Sequence, residues 1–149
     1  MASYDPEWYK SYERKRGKKP AVGHKERTIT FSWVKLDINQ GQSIKTWEEK
    51  GLLAELCEMM RQVGQYSTRE VLARQMIKTY TKVGFPPNSE FDVPKHVSPK
   101  NWSVLHIKPN SKEVVVGYIE NDVFNIVFLD EEHKFWPVQG IQNKGKNRK

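Results

Sequence analysis

The sequence predicts an α+β fold: an N-terminal strand, then an antiparallel helical hairpin packed on a C-terminal antiparallel β-meander, with a basic flexible segment at each end. Three observations predict it. Thr28 to Leu36 alternates apolar and polar residues. Two following stretches carry helix-capping signals and apolar stripes at spacings of three and four. Three strand-like apolar runs then follow one another closely between Trp102 and Leu129. A chain of 149 residues suits a single domain. The division is a basic aromatic arm over 1–27, one α+β domain over 28–137, and a basic tail over 138–149.

In the first strand, Ile29, Phe31 and Trp33 alternate with Thr28, Thr30 and Ser32, the period of a half-buried strand. Asn39 and Gly41 mark the loop after it. Thr46 and Glu49 have the T-x-x-E spacing of a capping box, and Leu52, Leu53, Leu56, Cys57, Met60 and Val63 share one helical face up to Gly64. Ser67 and Glu70 open a second helix with the stripe Val71, Leu72, Met76, Ile77 and Tyr80, ending at Gly84. A short connection between two such helices predicts antiparallel packing. Residues 85–99 hold four prolines and form an extended loop, long enough to suggest a role beyond connection. The strands Trp102–Lys108, Glu113–Glu120 and Val123–Leu129 follow, with turns at Pro109-Asn110-Ser111 and Asn121-Asp122. Val114-Val115-Val116 and Ile126-Val127-Phe128-Leu129 are nearly continuous apolar runs, as in strands covered on both faces. The sheet is expected to have about four strands.

The formal charge is +7, and it resides at the ends. Residues 1–27 hold eight Lys/Arg against four acids, and residues 138–149 hold four Lys/Arg and no acid. The segment between them is slightly acidic. In the arm, Trp8, Tyr9 and Tyr12 interleave with Lys10, Arg14, Lys15, Arg16, Lys18 and Lys19. Cations neutralise phosphates and aromatics stack on bases, so the pattern fits RNA or single-stranded DNA, or else a solubilising segment. Lys144, Lys146, Arg148 and Lys149 add attraction without sequence preference. There is no apolar run long enough for a membrane span and no signal-peptide h-region, so the expected location is the cytoplasm.

Several chemistries are excluded. One cysteine, Cys57, precludes an internal disulfide or multi-thiolate site, and its place on the apolar stripe reads as a core thiol. Four scattered histidines show no metal-ligand spacing, and Asp130 with His133 makes only two ligands. Phosphate-cradling glycine loops and the G-x-S-x-G elbow are absent. No cofactor is expected. The best candidate for chemistry is the end of the last strand, Asp130-Glu131-Glu132-His133-Lys134-Phe135-Trp136. An imidazole can act as acid or base at neutral pH, Lys134 can hold an anion, and Trp136 can stack on a base. The alternative is an exposed strand end with Phe135 and Trp136 as packing. If Leu105 and Ile107 face the core, His106 faces the other side and can share a surface with His133. His96, between Pro94 and Pro99, reads as a phosphate contact or a plain surface residue.

The segment Lys112 to Leu129, leading to His133-Lys134-Phe135-Trp136, resembles the closing hairpin of RelE/ParE-like toxins, and the order of strand, two helices and meander agrees. The resemblance implies a metal-independent endoribonuclease that cuts mRNA in the ribosomal A site, with a cognate antitoxin as partner, in a toxin–antitoxin or mobile-element system. Carried over by position, Lys112 and Lys134 hold phosphate, His133 is the acid or base, and Trp136 takes the aromatic place. His106 stands where a strand often carries a basic residue. Two other functions fit the sequence: a non-enzymatic nucleic-acid-binding accessory protein, and a protein-interaction module using the sheet face or the 85–100 loop.

Overall fold

Backbone signals and apolar patterning together explain where each element starts and stops. The computed structural model describes residues 26–82 and 84–137. Its elements are β1 (Thr30–Ser32), α1 (Ile44–Glu49), α2 (Leu52–Val63), α3 (Thr68–Ala73), β2 (Lys78–Tyr80), β3 (Trp102–His106), β4 (Val114–Glu120) and β5 (Val123–Asp130). The α+β class is thus observed, with three helices and a five-stranded mixed sheet among the described residues. The strand order is β1-β5-β4-β3-β2. All neighbours are antiparallel except β1, which runs parallel to β5.

The helical region departs from expectation in three ways. First, Ser43, not Thr46, is the N-cap: its Oγ accepts the Thr46 N–H at 3.0 Å. Second, Gly51 adopts φ 77°, a left-handed conformation that ends α1 and separates it from α2. Third, α3 begins as expected, with the reciprocal Ser67–Glu70 capping box, but stops at Ala73. Gln75 takes φ 56°, its N–H bonds Leu72 O at 3.1 Å, and the Met76 N–H bonds Val71 O at 3.0 Å. This is a Schellman closure on a residue other than glycine. Lys78–Tyr80, read as the last helical turn because Met76, Ile77 and Tyr80 keep helical spacing, is instead the edge strand β2. It pairs with β3, and Thr79 Oγ1 and Ser103 Oγ are 2.8 Å apart across the pair.

Two smaller corrections follow from the same physics. The first strand is shorter than Thr28–Leu36 because a turn closes at once, Leu36 N–H to Trp33 O at 3.1 Å, leaving Val34 exposed. On α2, Leu52, Leu56 and Val63 are buried, while Cys57 is exposed and is not a core thiol.

The sheet separates two cores. On one face, Val115, Leu105, Ile126 and Leu129 pack with Trp47, Leu56, Val63 and Val71 of the helices. On the other, Val104, Val114, Val116 and Phe128 pack with Val97 and Phe135, and with Phe85 and Phe91. The proline-rich loop is therefore the second cover of the sheet. Phe91 stacks on Phe128 with centroids 4.5 Å apart, and Phe85 meets Trp102 and Phe135 edge-on. This double cover accounts for the unbroken apolar runs of β4 and β5.

The hairpin β4–β5 turns through Asn121 and Asp122, both with positive φ (55° and 65°). That is the geometry of a two-residue primed turn. The ladder slips between Val116 and Gly117, leaving Val127 as the extra residue of a bulge on β5. The Val127 carbonyl accepts the Asp37 N–H at 2.8 Å. A Cβ on Gly117 would lie 1.9 Å from the Asn125 carbonyl oxygen. Gly117→Ala is therefore expected to destabilise the fold by about 1–3 kcal/mol in urea denaturation, the range for overpacking. An unchanged midpoint would show that the strands can part there without loss.

Candidate functional site

The end of β5 is built around a buried carboxylate. Asp130 has no exposed surface, yet it is not an unpaired charge. Its Oδ1 accepts the Lys134 N–H and its Oδ2 accepts the Phe135 N–H, each at 2.8 Å. Burial raises the carboxyl above its ordinary value, and these backbone donors pull it the other way. The cradle folds residues 131–136 back over the sheet, sends Phe135 into the core and leaves His133 at φ 62°. The neighbouring acids are also taken up internally. Glu131 pairs with Lys50 at 2.8 Å, and Glu132 with Lys134 at 3.3 Å.

His106 lies on β3 facing the same side as Val104, because side chains alternate along the strand. The turn at Asp130 brings the His133 ring to it, with centroids 5.6 Å apart. His106 Nδ1 is 2.8 Å from Ser111 O, and His133 Nδ1 is 2.7 Å from Trp136 O. A carbonyl can only accept, so each Nδ1 must carry the proton. In the neutral ring Nε2 is then the unprotonated nitrogen, able to take a proton; in the charged ring it can give one. Neither Nε2 has a hydrogen-bond partner among the described residues. Burial, then His133 and Lys78, lower the His106 pKa below 6.5, opposed by the Ser111 carbonyl.

The other residues singled out in the sequence fall in different places. Lys134 has its ammonium against Glu132, which raises its pKa. Its charge is thus partly offset by a neighbouring acid in an exposed ion pair. Lys112 is exposed in the turn between β3 and β4, with no side-chain hydrogen bond or ion pair among the described residues. Trp136 stacks on Tyr80 with centroids 4.7 Å apart and planes 8° apart, so one face of its ring is already covered. His96 Nε2 is 2.7 Å from Lys35 O, which ties the proline loop to the turn after β1. Trp8, Tyr9, Lys10, Tyr12, Arg14, Lys15, Arg16, Lys18, Lys19, Lys144, Lys146, Arg148 and Lys149 lie outside the described residues.

Lys78 is a candidate that the helical spacing of Met76, Ile77 and Tyr80 hides, because its segment is a strand, not a helix. It is exposed on the strand beside His106 and acts on its titration. Asp130, a possible metal ligand by its spacing from His133, has both oxygens used by backbone N–H groups. Among the described residues no group of three or more His, Cys, Asp and Glu side chains is placed to hold a metal ion, and no helix is long and apolar enough to cross a membrane. No protein-family model matches the chain, and no curated protein or solved structure is similar enough to be matched to it.

The electrostatics predict a titration. His106 should have an NMR midpoint below 6.5, and His133→Ala should raise it by exposing the ring and removing a like charge. The sign for stability follows. A histidine whose folded pKa is depressed contributes fully above its unfolded pKa, and the contribution is lost as pH falls below 6.5. A His106 midpoint at or above 6.5 in the intact protein would contradict the pairing.

Proposed function

We propose that the protein binds RNA and cleaves it by transesterification, with His106 and His133 as the acid–base pair. The observation that carries this reading is the pair itself: two imidazoles with ring centroids 5.6 Å apart, each fixed through Nδ1 to a carbonyl and neither with an Nε2 partner among the described residues. Cleavage beside a ribose 2′-OH needs two proton transfers and no cofactor. His106, held toward its neutral form, takes the 2′-OH proton on Nε2. The freed O2′ attacks phosphorus, and the P–O5′ bond breaks. His133, in its charged form, gives its Nε2 proton to the departing O5′. The products are a 2′,3′-cyclic phosphate and a 5′-hydroxyl end, with the protons of the two rings exchanged. Lys78, close enough to act on His106, offsets the charge gathering on the phosphoryl oxygens. The basic arm and tail supply attraction to the phosphate backbone.

The likeness to RelE/ParE toxins fits the same chemistry in ribosome-dependent form, with an antitoxin as partner. The roles carried over by position change in this reading: Lys78 replaces Lys112 and Lys134 as the phosphate contact, and His106 joins His133.

The test is incubation with single-stranded RNA, free and on translating ribosomes, in excess chelator. The expected result is cleavage to cyclic phosphate and 5′-hydroxyl ends, with all-deoxy strands left intact. Loss of either histidine as alanine should slow the reaction by about 10²–10⁴-fold, the range for one positioned acid or base. RNA left whole in both settings, or cleavage indifferent to both substitutions, would refute the reading. Salt-sensitive binding without cleavage would identify a non-enzymatic RNA-binding protein.

A further inference from the structure

Next to the histidine pair lies a cleft of about 500 Å³, within the usual range for small-ligand sites, and His106 forms part of its wall. Its composition is uneven. Met59 and Met76 supply apolar surface, and Gln75 and Asn110 supply amide groups. Lys78 and Lys108 supply positive charge. Gln75 and Asn110 both sit at turns with left-handed backbone, φ 56° and 60°, which fixes where their side chains start. Neither amide side chain is used in a hydrogen bond among the described residues. Lys108 is engaged with Glu55 at 3.3 Å, whereas Lys78 is in no ion pair among the described residues.

We infer that this cleft receives one nucleobase of the RNA strand, that of a nucleotide flanking the scissile phosphate. The inference rests on the proposed acid–base role of His106 and His133 and names the subsite that serves it. Thioether sulfurs are polarizable and pack well against aromatic rings, so Met59 and Met76 suit the face of a base. Amide groups read the hydrogen-bonding edge of an unstacked base, the part of RNA that single-strand binders use for selectivity. The charge lies where the attached phosphate would run, on Lys78 beside His106. Because His106 belongs both to the cleft wall and to the pair, a base seated in the cleft leaves its own phosphate against the pair.

The test is NMR titration of the full-length protein with each of the four nucleoside 3′-monophosphates and with inorganic phosphate. The resonances followed are the methionine methyls, the side-chain amides and the imidazoles. At least one nucleotide should bind about tenfold more tightly than inorganic phosphate and shift the Met59 and Met76 methyls together with the Gln75 amide. Gln75→Gly, which suits the left-handed backbone, should remove most of that advantage and leave phosphate binding unchanged. Nucleotides that bind no better than phosphate, or leave both methyls unmoved while phosphate still shifts His106 and His133, would overturn the base subsite and spare the proposed function. Failure of phosphate and of every nucleotide to perturb the two imidazoles would overturn the proposed function itself.

Discussion

Asp130 ends the interior strand β5 with a fully buried carboxylate, and both its oxygens accept backbone N–H groups of the turn that follows. Burying such a group unpaired would be expensive, so the turn over 131–136 must supply its donors. That requirement decides the positions of three side chains. Phe135 is driven into the core between Phe85, Trp102 and Phe128. Trp136 comes to rest on Tyr80 at the far edge of the sheet. His133, left in a backbone conformation uncommon outside glycine, is set against His106. The candidate chemistry therefore depends on a group that takes no part in it.

The same turn joins the two covers of the sheet. The Lys134 carbonyl accepts the Glu90 N–H at 2.9 Å, tying the proline-rich loop to the strand end. On the helical side, Gln42 receives both the Glu131 N–H at 2.6 Å and the Trp47 indole N–H at 3.2 Å. Helices, loop and the 131–136 turn are thus fastened at one end of β5. At its other end, the Asp122 carboxylate accepts the Thr68 hydroxyl at 2.8 Å, holding the β4–β5 turn against α3. A sheet fixed at both ends and covered on both faces is a rigid platform, which suits a site that must hold two imidazoles in register.

Elements defined by strong periodicity or by reciprocal caps were legible in the sequence: the three C-terminal strands, the Ser67–Glu70 helix start, and the possibility that His106 and His133 share a surface. What was not legible depended on tertiary contacts. Gln75 gives no hint that it closes a helix, since glycine is the usual residue there; β2 was therefore invisible and Lys78 with it. The length of the loop of residues 85–99 suggests a role beyond connection, but its aromatic residues, Phe85 and Phe91, are spaced for no element, and only the sheet face explains them. Asp130 looked like one of three acids, although its role differs from that of Glu131 and Glu132 because it alone is buried.

The Asp130 cradle holds His133 against His106. Cross-ring nuclear Overhauser effects between the two imidazoles, recorded for the intact protein and for Asp130→Asn, test it most directly. The amide keeps the shape of the carboxyl but can accept only one of the two N–H bonds. Clear cross-ring effects are expected in the intact protein, and their loss or strong weakening in a folded Asp130→Asn protein. Absence of the effect in the intact protein, or its persistence at full strength in the variant, would contradict it.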